Sequence, residues 1–183
     1  MRPPSYASLD EALEALAPYG IELDNGNSNH APMVAEALCS MGRPDAVMPW
    51  IARYRERLLA RSPAGNRLRR GDWQSALGRR DRFAEWSVLF GEELQEAPWR
   101  QVLDRWMGRL APGTCGAATH GIIRVGHAVR ALAEAETPAR LHELADALAS
   151  WAAVYRELPA TGARAMLRPR QAAPGANPGP RAR

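Results

Sequence analysis

From Leu9 to Tyr155 the apolar residues recur at intervals of three and four, and nowhere do they alternate over the length of a strand. That period follows the 3.6-residue turn of an α-helix. It predicts an all-α body, a multi-helix, bundle-like domain, with no strand. Ser8-Leu9-Asp10-Glu11 reads as a capping box opening a helix on Leu9, Leu13 and Leu16, which stops at Pro18 and Gly20. Met33, Val34, Ala37, Leu38 and Met41 mark a second helix closed by Gly42, and Trp50, Tyr54 and Leu58 a third over about 46–60. Asp72 caps a short helix bearing Trp73 and Leu77. Longer ones are expected over 81–96 and 99–110, through the run 114–133, and from Thr137-Pro138 to Leu158-Pro159. The six Trp are core, or else the walls of a pocket for a flat molecule.

Beyond Pro159 the pattern stops. Residues 160–183 hold Pro169, Pro174, Pro178 and Pro180, five Arg and no acid, a composition that predicts disorder. The domain is therefore expected over residues 1–159. All 24 cationic residues are Arg, and with five in the tail the body keeps 19 against 20 Asp and Glu, a net of −1. The basic balance belongs to the tail, so no nucleic-acid partner is expected of the body. Arg53, Arg55 and Arg57 are a solvated face or, less simply, a phosphate contact. No apolar run spans a bilayer and the N-terminus lacks a secretory h-region, so no membrane association is expected. Cys39 and Cys115 lack metal-ligand spacing, which suits a reducing cytoplasm.

Chemistry concentrates at the histidines. His30 closes the stretch Asp24–Met33, DNGNSNHAPM, in which Asn, Gly and Ser shape a turn and Pro32 suits a first helical turn. It is a ligand or acid/base group at a loop-to-helix junction, or simply part of a capped helix start. His120 and His127 lie in TCGAATHGIIRVGHAVRALA, residues 114–133. Seven residues of unbroken helix separate them by about 10.5 Å along the axis. Two nitrogens bound to one ion cannot lie much more than about 4 Å apart. So one of the two is the ligand, or Gly121 and Gly126 mark a distorted helix, or both are satisfied core residues. Small residues at Gly116, Ala117, Gly121 and Gly126 permit close approach of a neighbour. His142 reads as a surface residue. There is no G-x-G-x-x-G, P-loop, G-x-S-x-G or H-E-x-x-H.

Several blocks taken together resemble the questin oxidase-like family. They are NGNSNHAPMVAEAL (25–38), GRPDAVMPWIARYRERL (42–58), EAPWRQVLDRWMGRLAPG (96–113), ATHGIIRVGHAVRAL (118–132) and, in its bacterial branch, LADALASWAAVYRELP (144–159). The resemblance runs in order from about Leu9 to Pro159. It implies an oxidoreductase carrying out NADPH-dependent, Baeyer–Villiger-type oxygen insertion into an aromatic polyketide or quinone-like substrate, with a histidine-held non-haem iron. It assigns His30 and His120 to the catalytic site and His30, His120 and His127 to the metal, although fungal members place their second histidine where Arg124 stands. Family members are longer. The chain is therefore expected to be the N-terminal portion of the family domain, partnered by further copies of itself or by a separate C-terminal half. A non-catalytic helical module is the alternative.

Overall fold

The computed structural model describes residues 2–158. The expected tail, residues 160–183, lies outside the described residues. The body is all-α with one small sheet. In chain order the elements are α1 (Leu9–Leu16), β1 (Tyr19–Leu23), α2 (Ala31–Ser40), α3 (Val47–Tyr54), β2 (Leu58–Ala60), α4 (Phe83–Glu96), α5 (Trp99–Leu110), α6 (His120–Glu134) and α7 (Pro138–Ala153), with short 3-10 turns between them. No described helix is long and apolar enough to cross a membrane.

Two apolar clusters organise the packing. The larger surrounds α7, whose residues from Leu144 to Trp151 are all buried, and gathers the inner faces of α4, α5 and α6. Trp86, Phe90 and Trp106 meet there at ring-centroid distances of 4.8 to 5.6 Å, each pair adding about 0.5–1.5 kcal/mol beyond burial. Two buried indole N–H groups find acceptors, Trp86 donating to the Ala76 carbonyl at 3.1 Å and Trp106 to Glu93 at 2.9 Å, while those of Trp99 and Trp151 have none among the described residues. The smaller cluster joins α1, α2 and α3, and Ala131 of α6 packs into it. Helix α6 thus belongs to both clusters.

Four expectations about local structure need correction. β1 and β2 pair antiparallel, Tyr19 with Ala60 and Leu23 with Leu58, where no strand was foreseen. The third helix ends at Tyr54 rather than near 60, because its last residues leave the helix to make this pairing. The segment after Asp72 is only a 3-10 turn, Trp73–Ala76. Ser8 precedes α1 without making a side-chain capping bond. Thr137 does cap α7, accepting from the Arg140 amide.

Candidate functional site

His30 is positioned by the turn that leaves β1. Gly26 takes a φ of 77°, and the chain doubles back so that Ser28 pairs with Glu22. Asn29 then locks the exit. Its amide nitrogen donates to the Gly20 carbonyl at 2.9 Å and its oxygen accepts from the Ala31 amide, also at 2.9 Å, at the start of α2. The N-cap of α2 is His30, which makes no side-chain capping bond, so the asparagine expected as a cap acts instead from one residue earlier, where the buried Asn29 closes an Asx turn onto the first helical amide. The His30 amide donates to the Tyr54 hydroxyl at 3.2 Å, tying the helix start to α3.

His120 is the first residue of α6, and the approach to it is strained. Ala117, Ala118 and Thr119 all have positive φ, at 45°, 51° and 67°. Each costs a non-glycine residue about 1–2 kcal/mol, and such strain persists only where packing imposes it. The packing is visible on both sides. A Cβ on Gly116 would collide with the Val154 carbonyl, and one on Gly121 would lie 2.6 Å from Trp151 Cα. The chain is thus pinned to α7 immediately before and after the left-handed turn. The turn swings the Ala117 carbonyl to 2.5 Å from His120 Nδ1, from which it accepts a hydrogen bond.

The two histidines then meet. His30 Nε2 and His120 Nε2 are 2.8 Å apart, with ring centroids at 4.8 Å and ring planes crossed at 78°. With Nδ1 of His120 donating to the Ala117 carbonyl, the neutral imidazole carries its bare lone pair on Nε2. The contact is closed by a proton on His30 Nε2, or by a cation in that proton's place. Burial, and then the facing His120, hold His30 below the ordinary pKa of 6.5, so His30 is neutral at neutral pH.

His127 is not brought to them. Its Nδ1 donates to Glu36 at 2.5 Å, on an unbroken α6 two turns beyond His120. The expectation that it shares a metal with His30 and His120 therefore needs correction, for the helical-rise reason given above. Glu36 is a buried carboxylate that also accepts from Arg130 through two bonds, at 2.6 and 3.1 Å, and from the Tyr6 hydroxyl at 3.0 Å. Burial pushes its pKa up, but these hydrogen bonds outweigh burial and bring it to about 2. The same bond, added to burial, pushes Tyr6 up to about 12.

A second buried polar cluster lies behind the pair. Arg124 donates to both oxygens of Glu143 at 2.7 and 2.8 Å. Asp146 lies 3.9 Å from Arg124, accepts from Ser87 at 2.6 Å and is bridged by Arg61. A small cavity of about 60 Å³, lined by Asn29, Pro32, Arg124 and Asp146 among others, separates this cluster from the start of α2. Glu36 and Asp146 were not singled out in the sequence. Both sit within apolar-periodic runs, and a carboxylate on an apolar helix face was the available signal. His142 is half-exposed, as expected, but stands 3.7 Å from Asp146 at the edge of a cleft between α4 and α7.

No family model, no curated protein and no solved structure matches this chain. The fold and the site define an all-α protein with a small antiparallel sheet and a histidine pair joining the starts of two helices.

Proposed function

We propose that the chain is a questin oxidase-like oxidoreductase, in which NADPH and oxygen serve a Baeyer–Villiger-type oxygenation of an aromatic, quinone-like substrate and His30 and His120 hold a non-haem iron. The observation carrying this reading is the 2.8 Å approach of two Nε2 atoms from the two histidines that the resemblance singles out. Two nitrogens bound at about 2.1 Å at right angles to each other on one ion would lie about 3 Å apart, close to this spacing. Imidazole suits iron. A ligand histidine characteristically gives its other N–H to a carbonyl, as His120 does to Ala117.

The donor set fits as part of a site. Among the described residues no group of three or more His, Cys, Asp and Glu side chains converges. The remaining positions fall to water, substrate or donors beyond residues 2–158. Iron, when bound, would supply oxygen activation, which no side chain here offers. The chain's own part is to orient. The Ala117 carbonyl fixes the His120 tautomer, and Asn29 and Tyr54 fix the backbone that carries His30.

The same two-donor limit favours a second reading, a non-catalytic helical module in which the histidines form an ordinary hydrogen bond between α2 and α6. One experiment separates the two. Metal analysis of the purified protein is combined with NADPH-dependent oxygen uptake on an anthraquinone probe. The oxidoreductase reading expects about one iron per chain, lost in both His30→Ala and His120→Ala and kept in His127→Gln. A folded protein without iron and without uptake would establish the helical module instead.

A further inference from the structure

One feature that the histidine pair leaves unexplained is the mostly apolar cleft between α4 and α7. It has a volume of about 610 Å³, in the range of small-molecule sites. Its walls are mostly apolar, and Val88 exposes 43% of its surface there. Glu92 and Gln95 of α4 belong to the lining, and the other polar groups converge at its inner end. These are Arg61, Ser87 and His142, with Asp146 behind them.

Counting donors and acceptors at that end gives a direction. Asp146 is saturated, since it accepts from Ser87 and from both terminal nitrogens of Arg61 and lies beside Arg124. Ser87 is also spent, donating to Asp146 and accepting from Arg61. Glu92, at the rim, pairs with Arg67 at 2.7 Å. What is left over is donor capacity. Arg61 uses three of its five N–H groups on Ser87 and Asp146, and its Nε–H is buried, which leaves one Nη2–H. His142 is 3.7 Å from Asp146, too far for a hydrogen bond, so neither ring nitrogen is committed to it. An apolar cavity whose inner end offers an uncommitted guanidinium N–H and an imidazole, with the Gln95 amide also in its lining, suits a ligand with an apolar body and an acceptor oxygen, best an anionic one, at one end.

We infer that this cleft binds a small apolar carboxylic acid, its body against Val88, Leu94, Leu141 and Ala145 and its carboxylate at Arg61 and His142. The site uses neither histidine of the pair and does not depend on the redox reading.

Gly91 provides a clean test. It lines the cleft, and a Cβ added there meets nothing within 4 Å. Gly91→Trp therefore fills the cleft while leaving the packing and the Arg61–Asp146 bridge intact. The probe is 1-naphthoate, titrated calorimetrically into the full chain, with 1-naphthalenemethanol as its uncharged counterpart. Saturable one-to-one binding of the acid is expected, at least about tenfold tighter than the alcohol. His142→Gln should weaken it, and Gly91→Trp should abolish it with the melting temperature kept or raised. Three outcomes would overturn the assignment: no saturable binding of the acid, equal binding of acid and alcohol, or undiminished binding in folded Gly91→Trp.

Discussion

His30 Nε2 and His120 Nε2 lie 2.8 Å apart although 90 residues of chain separate them. Each stands at the start of a helix, His30 positioned by the Asn29 turn and the Tyr54 hydroxyl and His120 by the Ala117 carbonyl. With the pKa of His30 lowered, the unfolded chain binds a proton more readily than the folded one as pH falls through 6.5. Stability that is present above pH 6.5 is therefore lost progressively below it. Denaturant titrations across pH 5–8 should show this slope, and His30→Gln should flatten it. Imidazole nitrogen NMR at pH 8 should find His120 protonated on Nδ1 only.

Glu36 carries the sharpest acid sensitivity. Its folded pKa of about 2 lies below the ordinary 4.5, so its contribution is complete above pH 4.5 and disappears as pH falls toward 2. Glu36→Gln leaves His127, Arg130 and Tyr6 facing a neutral amide. A loss of about 2 kcal/mol is expected at pH 7, with a smaller drop between pH 5 and pH 3 than the parent protein shows. Urea unfolding at the three pH values measures both.

The left-handed turn before α6 holds recoverable strain. Ala118 is exposed and has a φ of 51°, so Ala118→Gly removes a steric cost without emptying any core. It should raise stability by about 1 kcal/mol. Ala118→Val should lower it, since a β-branched side chain tolerates positive φ less well. Thermal melts of the two variants, read in opposite directions, test whether the turn has this geometry.

Two glycines on one helix should respond oppositely to the same change. Gly121→Ala drives a methyl against the Trp151 backbone and should cost about 1–3 kcal/mol. It should also disturb the neighbouring His120 and with it the histidine pair. At Gly126 a Cβ meets nothing within 4 Å, and Gly126→Ala should gain up to about 1 kcal/mol from helix propensity. Equal effects at the two sites would contradict the close crossing of α6 and α7.

Of the small residues expected to allow close approach, Gly116 and Gly121 do so and Gly126 does not. All four occur in the same stretch, and sequence spacing does not say which side of α6 faces α7. His127 shows the same limit. Its seven-residue offset from His120 rules out a shared ion on a regular helix, but only the structure supplies Glu36 as its partner, 91 residues away.

The sequence by itself determined the helices, because their apolar period is imposed by backbone geometry within each segment. It also determined the turn before His30, where Gly26 takes the positive φ and Asn29 bonds back to the Ala31 amide. Tertiary structure decided the rest. β1 and β2 have only five and three residues, too few to alternate visibly, and they form because each supplies the other's hydrogen bonds. The strained turn at 117–119 has no glycine to announce it and exists because α7 pins the chain on both sides. The histidine pair and the partners of Glu36 and Asp146 are long-range contacts. Their positions depend on how helices pack against one another, and local periodicity contains no term for that.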